Sequence, residues 1–331
     1  MKKLFALLLA LLMVLSMTAC GSDEYEYDES EPDVSVSEPD EPAEPAVPFS
    51  GGTITKEVGG LNLTAEFLPM AEPMVTDDMF KQDVTAIGDK VYLLSDEKFY
   101  EYTLSGNTLT FSREITLDDE YEYIDRIGDK VMLSQFMSDT LVYDGDAVIA
   151  SYADLDKVSA APDGTWGISW FTSAEDCEKV TFADGVATKS PMAFAGVDMA
   201  HKICVDEQYI YVCGSHVDGS GEYVFVYDHS GVLKMTLDGD PSKSYGLGSI
   251  TQVIGTENGF LGLDGNMRDI IVWSTDGTWQ GSVQADVLFD TDYPWLCAAD
   301  RLEDGSILAV LTQKMSDGAT NEVIMFKVTG F

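Results

Sequence analysis

Residues 223–237, YVFVYDHSGVLKMTL, read as an alternating apolar strand, an Asp-x-x-Gly turn and a second alternating strand. Related stretches recur about every 35 to 50 residues, a spacing that marks a repeat architecture. They are YEYTLSGNTLTFSREITL from residue 100, LVYDGDAVIASY from 141, VTFADGVATKSPM from 180 and IIVWSTDGTWQGSV from 270. A last copy, VIMFKVTGF from 323, stops at its turn. In each full copy a β-branched and aromatic run meets a short Gly/Asp/Asn/Ser turn and resumes, which is the signature of a hairpin. A second turn precedes each hairpin: GDK at 88 and 128, DGT at 163, DEQ at 206, ENG at 257 and EDG at 303. An apolar strand follows every one of them: VYLL, VMLS, WGIS, YIYV, FLGL and SILAVL. One unit therefore reads strand, turn, strand, loop, strand, turn, strand, and six units predict six four-stranded antiparallel sheets.

Such small sheets cannot bury a face alone, so they must stack. Radial stacking gives an all-β, six-bladed propeller. The sixth copy lacks an outer strand, and the alternating stretch LNLTAEFL at 61–68 has no partner of its own. The reading that leaves no open edge pairs the two and closes the ring. Residues 51–84 also admit two strands, at 53–58 and 61–68, which leaves a seventh blade open as an alternative. A stacked sandwich or open β-array is the other one.

The stretch IYVCGSHVDGSGEYVFVYDHSGVLKMTLDGD, residues 210–240, resembles a repeat of the TolB-like and NHL-type six-bladed propellers. In those repeats an apolar strand, a variable loop, a strand ending in Tyr/Phe-Asp, and a short strand after x-x-Gly follow one another. Residues 260–286 are similar, with Trp273 in the aromatic place and Asp276-Gly277 at the turn. The third copy lacks the aromatic-Asp pair and the sixth ends early. The resemblance spans residues 61–331 and implies a fold rather than an activity.

Residues 1–19 combine Lys2 and Lys3, an apolar run from Leu4 to Met17 and small residues before Cys20. That run is too short to span a bilayer and reads as a secretion leader. MTAC-Gly at 17–21 resembles a bacterial lipoprotein signal, which implies lipidation of Cys20 and a chain anchored at the extracytoplasmic face of a cell membrane. Residues 21–48 hold eleven Asp/Glu, five Pro and neither Lys nor Arg. Such a segment cannot form a core and is expected to be an extended, disordered stalk, so that residues 49–331 form the propeller domain.

The chain carries a formal charge of −39. The leader adds two cations and the stalk removes eleven charges, so the domain still carries about −30. That surface repels nucleic acid and favours basic protein patches, small cationic ligands or Ca²⁺.

Few residues carry chemistry. His201, His216 and His229 all belong to the fourth repeat and cannot surround an axis together, which disfavours a His-rich metal centre. No G-x-S-x-G elbow appears. Cys204 and Cys213 fall on the first two strands of the fourth unit, with Cys204 opposite Tyr211; a diagonal pair at ~7 Å suits free buried thiols better than a bridge. Asp264, Asn266 and Asp269 cluster oxygens that Ca²⁺ needs, without matching an EF-hand, and Asx/Gly clusters are also ordinary turn chemistry.

Propellers usually bind at the axial mouth, through loops that lead into the innermost strands. Those loops place Tyr121, Tyr123, Tyr245, Asp292, Tyr293 and Trp295 as candidates to stack on a sugar or cage a cation. The plainer alternative for the rings is packing between blades. The expectation is a binding or protein-interaction module. Its alternative is a metal-dependent (Ca²⁺-type) hydrolase or glycan-active enzyme using axial carboxylates.

Overall fold

The computed structural model describes residues 48–331 apart from 73, 243–245, 316–317 and 319. The leader, Cys20 and the acidic segment through residue 47 lie outside the described residues, as does Tyr245.

Six antiparallel sheets follow one another along the chain. Blades 1 to 5 are four-stranded meanders over residues 83–116, 123–152, 157–191, 197–237 and 250–284. Their innermost strands are Asp83–Ile87, Tyr123–Ile127, Lys157–Ala160, Val197–Val205 and Ile250–Thr256. Blade 6 starts with Trp295–Arg301, Ile307–Lys314 and Asn321–Thr329 and takes its fourth strand, Leu61–Phe67, from the other end of the sequence. Each innermost strand packs against those of both neighbouring blades, and the sixth returns to the first. The expected closure is therefore present. Thr53–Val58 pairs with Leu61–Phe67 as a fifth strand on the outer edge of blade 6, so the ring has six blades.

The joint depends on a glycine. Gly330 follows Asn321–Thr329 with φ +90°, and a Cβ there would sit 2.0 Å from the Asn62 carbonyl oxygen. No L side chain fits that approach.

Six apolar clusters hold the disc together, one between each pair of adjacent blades. In blade 1, Val91 and Leu93 face blade 6 while Tyr92 and Leu94 face blade 2. Successive side chains in a strand point to opposite faces, so a strand buried on both sides reads as an unbroken apolar run. That is the origin of VYLL, FLGL and SILAVL. The outer strands, such as Thr108–Thr116, have one covered side at most and remain largely exposed.

Trp273 and Trp279 form a cross-strand pair, and the buried Trp273 Nε1 donates to the Asp238 carbonyl at 2.8 Å. Cys204 pairs in register with Tyr211; Cys177, Cys204, Cys213 and Cys297 are all buried free thiols. Two elements depart from the sequence reading: Met74–Thr76 is a short strand paired with residues 321–323 of blade 6, and a helix stands ahead of that blade. Ala285–Phe289 is a short helix ahead of blade 6, where a loop was expected. Ala285, Leu288 and Phe289, at i, i+3 and i+4, drop into the core between blades 5 and 6. Helical spacing in so short a segment is masked by the strand pattern around it.

Candidate functional site

The axis is built from the innermost strands, and three aspartates there obey one rule. Asp300 on blade 6 accepts from the Ala86 amide (2.8 Å) and the Thr85 hydroxyl (3.1 Å) of blade 1. Asp83 on blade 1 accepts from the Ile124 amide of blade 2 at 3.2 Å. Asp125 on blade 2 accepts from the Ala160 amide (3.0 Å) and the Ser159 hydroxyl (3.1 Å) of blade 3. In each case the other carboxylate oxygen accepts from the next amide of its own strand, Arg301, Val84 or Arg126. Innermost strands have no partner strand on their axial side, so their amides need side-chain acceptors. The carboxylates supply them and tie successive blades together.

Two ion pairs cross the axis. Lys202, from blade 4, reaches Asp83 on the opposite blade 1 at 3.5 Å and lies over the Tyr123 ring at 4.6 Å. Burial works to neutralise Lys202, but the Asp83 carboxylate prevails and holds its pKa above the usual lysine value. Nearer the turns that leave the innermost strands, Arg126 Nη2 meets Glu207 Oε1 at 3.4 Å. Burial, with the neighbouring Asp300 charge second, lifts Asp125 to about 7. Burial likewise raises Asp300, against the pull of the Ala86 amide.

Between these pairs lies a cavity of about 80 Å³, lined among others by Asp125, Arg126, Lys202, Cys204, Gln252 and Asp300. Drug-sized ligand pockets run from roughly 300 Å³ upward, whereas one water takes about 30 Å³ of liquid volume. The axial cavity is far smaller than a drug-sized pocket and has room for a few water molecules.

The sequence-based candidates do not converge there. Tyr123 does line the cavity, edge-on to Trp170 at 5.6 Å. Tyr121 is buried in the cluster between blades 1 and 2 and donates its hydroxyl to the Asp139 carbonyl at 3.2 Å. Trp295 packs on the cluster between blades 6 and 1, with Phe80 edge-on at 4.7 Å. Tyr293 is exposed and carries the Arg268 guanidinium 3.3 Å above its ring, while the amide of exposed Asp292 donates to Gln313 Oε1 at 3.4 Å.

Among the proposed Ca²⁺ ligands, Asp264 is buried and accepts from the Gly248 amide (2.6 Å) and the Met267 amide (2.9 Å). Asp269 is buried and accepts from the Gln284 amide group, and Asn266 is exposed in the turn between them. Among the described residues no group of three or more His, Cys, Asp or Glu is placed to hold a metal ion. None of the three histidines lines the axial cavity.

The axial aspartates were not singled out from sequence, although a signal exists. An Asp-Arg pair stands just ahead of the first turn in two units, at 125–126 and 300–301. A buried-strand position with two adjacent charges is unusual enough to mark an axis.

No protein-family model and no curated protein matches the chain. Among solved structures it is similar to the WD40 β-propeller domain of Doa1, at 12% identity over 78% of this chain and 97% of that one, with a TM-score of 0.48. A luciferin-regenerating enzyme is similar at 13% identity over 78% and 98%, TM-score 0.47. Hydrazine synthase of Kuenenia stuttgartiensis is similar at 11% identity over 74% and 80%, TM-score 0.46. At these identities no activity carries over to this chain, and the fold stands on its own strand order.

Proposed function

We propose that this chain is a binding module of the extracytoplasmic cell surface: lipid on Cys20, an acidic stalk to residue 48, and a rigid six-bladed disc that presents its outer surface to a partner. One observation carries the reading. The place where a propeller would hold a substrate is filled by its own side chains, Asp83, Asp125, Lys202 and Asp300, and leaves about 80 Å³. These groups satisfy one another and the strand amides, so they act as an axle for the ring. The likeness of residues 210–240 to TolB-like and NHL-type repeats supports the propeller fold on which the reading stands, and the Cys20 context supports the anchor.

The test has two arms. In membrane fractionation the full chain should sediment with membranes and Cys20→Ala should move to the soluble fraction; an unchanged distribution rejects the anchor. In cross-linking on native membranes, Asp125→Asn should capture the same partner as the parent chain. If Asp125→Asn instead abolishes capture, or abolishes turnover on a panel of lactones and glycans, the axis is a working site and the module reading fails.

A further inference from the structure

The top face, where the innermost strands begin, carries apolar side chains in loops over blades 2, 3 and 4. Phe136 and Phe171, from the loops joining the second and third strands of blades 2 and 3, stack with ring centroids 3.9 Å apart and planes at 14°. The blade 3 loop continues into a β-bridge between Ser173 and Met199, and the Ala200 amide donates to the Thr172 carbonyl at 2.6 Å. The Met199 amide in turn donates to Ser215 Oγ at 3.3 Å, and that of Val217 to the Gly196 carbonyl at 3.1 Å. The blade 3 and blade 4 loops are thus hydrogen-bonded to one another, and the blade 2 loop joins them through the Phe136–Phe171 stack. Yet Met137, Val217, Met199 and Phe171 are 62, 61, 41 and 39% exposed.

Solvated loops need no such side chains, and a contiguous apolar patch with a polar rim marks a contact surface. The rim here is mostly acidic, with His201 beside Glu222 and His216 beside Asp218. Segments 135–139, 171–176, 196–201 and 215–220 contain Asp139, Glu175, Asp176, Asp198 and Asp218, all exposed, and neither Lys nor Arg. A second copy of this chain would bring the same acids face to face, which is repulsive. Complementarity therefore selects a cationic partner with apolar side chains at its centre.

We propose that the face formed by Phe136, Met137, Phe171, Met199 and Val217 docks a Lys/Arg-rich, apolar-centred protein segment. The proposal rests on the binding-module reading. It places recognition beside the axis rather than on it, with aromatic faces open to aliphatic and guanidinium groups.

The probes are two labelled synthetic peptides, an amphipathic Lys/Leu 16-mer and its Glu/Leu counterpart, titrated into the full chain by fluorescence anisotropy. The Lys/Leu probe should bind and the Glu/Leu probe should not. Met137→Ser/Phe171→Ser/Met199→Ser should weaken the Lys/Leu probe at least tenfold. Val148→Ser/Ile149→Ser, at exposed apolar positions on the outer strand of blade 2, should leave it unchanged. Asp198→Lys/Asp218→Lys, which keeps the apolar centre, should also weaken it. Equal binding to all variants means attraction by overall charge and overturns the proposal, as does equal binding of both probes or no binding. Concentration-dependent dimerisation in sedimentation, abolished by the triple Ser variant, identifies a second copy as occupant and overturns it too. In the membrane cross-linking assay, equal capture by the parent chain and the triple variant discards this surface and keeps the module. Capture by neither discards the module.

Discussion

Lys202 shows how one side chain serves a whole ring. It is half-buried and reaches Asp83 at 3.5 Å, in an axis that also holds Asp125 and Asp300. Removing one partner of a buried ion pair typically costs 3–5 kcal/mol, whereas replacing both is far milder. Lys202→Met should therefore destabilise by roughly 3–5 kcal/mol in urea unfolding, and Lys202→Met/Asp83→Asn by clearly less. A double variant as damaged as the single one would show that the pair contributes no coupling. Asp125 sets a pH dependence. Its folded value of about 7 lies above the ordinary 3.8, so the folded form binds the proton more tightly than the unfolded chain. Stability from this group is complete below about pH 4 and is lost as pH rises through 7. With ~1.4 kcal/mol per unit, the loss has a ceiling of about 4 kcal/mol. Unfolding midpoints should decline as pH rises from about 4 to 7 and level off above, and Asp125→Asn, which keeps an acceptor for the Ala160 amide, should flatten that slope. An unaltered slope would assign the dependence elsewhere.

Among the elements, Leu61–Phe67 matters most because it supplies the fourth strand of a blade formed at the other end of the described chain, with Thr53–Val58 and the short strand Met74–Thr76 joining the same sheet. Leu63 and Ala65 from it enter the cluster between blades 5 and 6. Leu63→Ala should cost about 2–5 kcal/mol as a buried large-to-small change. Gly330→Ala tests the joint itself, since its Cβ would collide with the Asn62 carbonyl. Its expected signature in hydrogen exchange is loss of protection at 61–67 and 321–329 before the other blades. Uniform loss over all six blades would mean that closure is not a separate unit. Much of this level was legible in sequence: the hairpins, the turns ahead of them and the closing strand at 61–68 all follow from alternation and turn residues. The helix Ala285–Phe289 was not, because five residues give too little period to compete with adjacent strands. Thr53–Val58 was legible as a strand but not as an outer edge of blade 6, since register with Leu61–Phe67 is decided by pairing.

For the whole molecule, charge and architecture pull in opposite directions. A domain carrying about −30 repels itself. Added salt screens surface charges, with a Debye length of about 10 Å at 0.1 M, but barely reaches the buried axial pair. The melting temperature should therefore rise between 20 and 300 mM NaCl, and a fall would place the dominant salt-sensitive term in attractive surface pairs instead. Sequence alone determined the repeat, the closed ring and the negative field, because alternation, turn chemistry and ionisable side chains are local properties. Tertiary structure decided the rest. Asp83, Lys202, Asp125 and Asp300 come from four units far apart in sequence and meet only once the ring closes. Tyr121 and Trp295 were drawn into interfaces between blades because apolar area is stabilised by leaving water wherever a neighbour allows it. Met137, Phe171, Met199 and Val217 were left exposed beside the half-buried Phe136, and their meeting across three blades exists only on the assembled face.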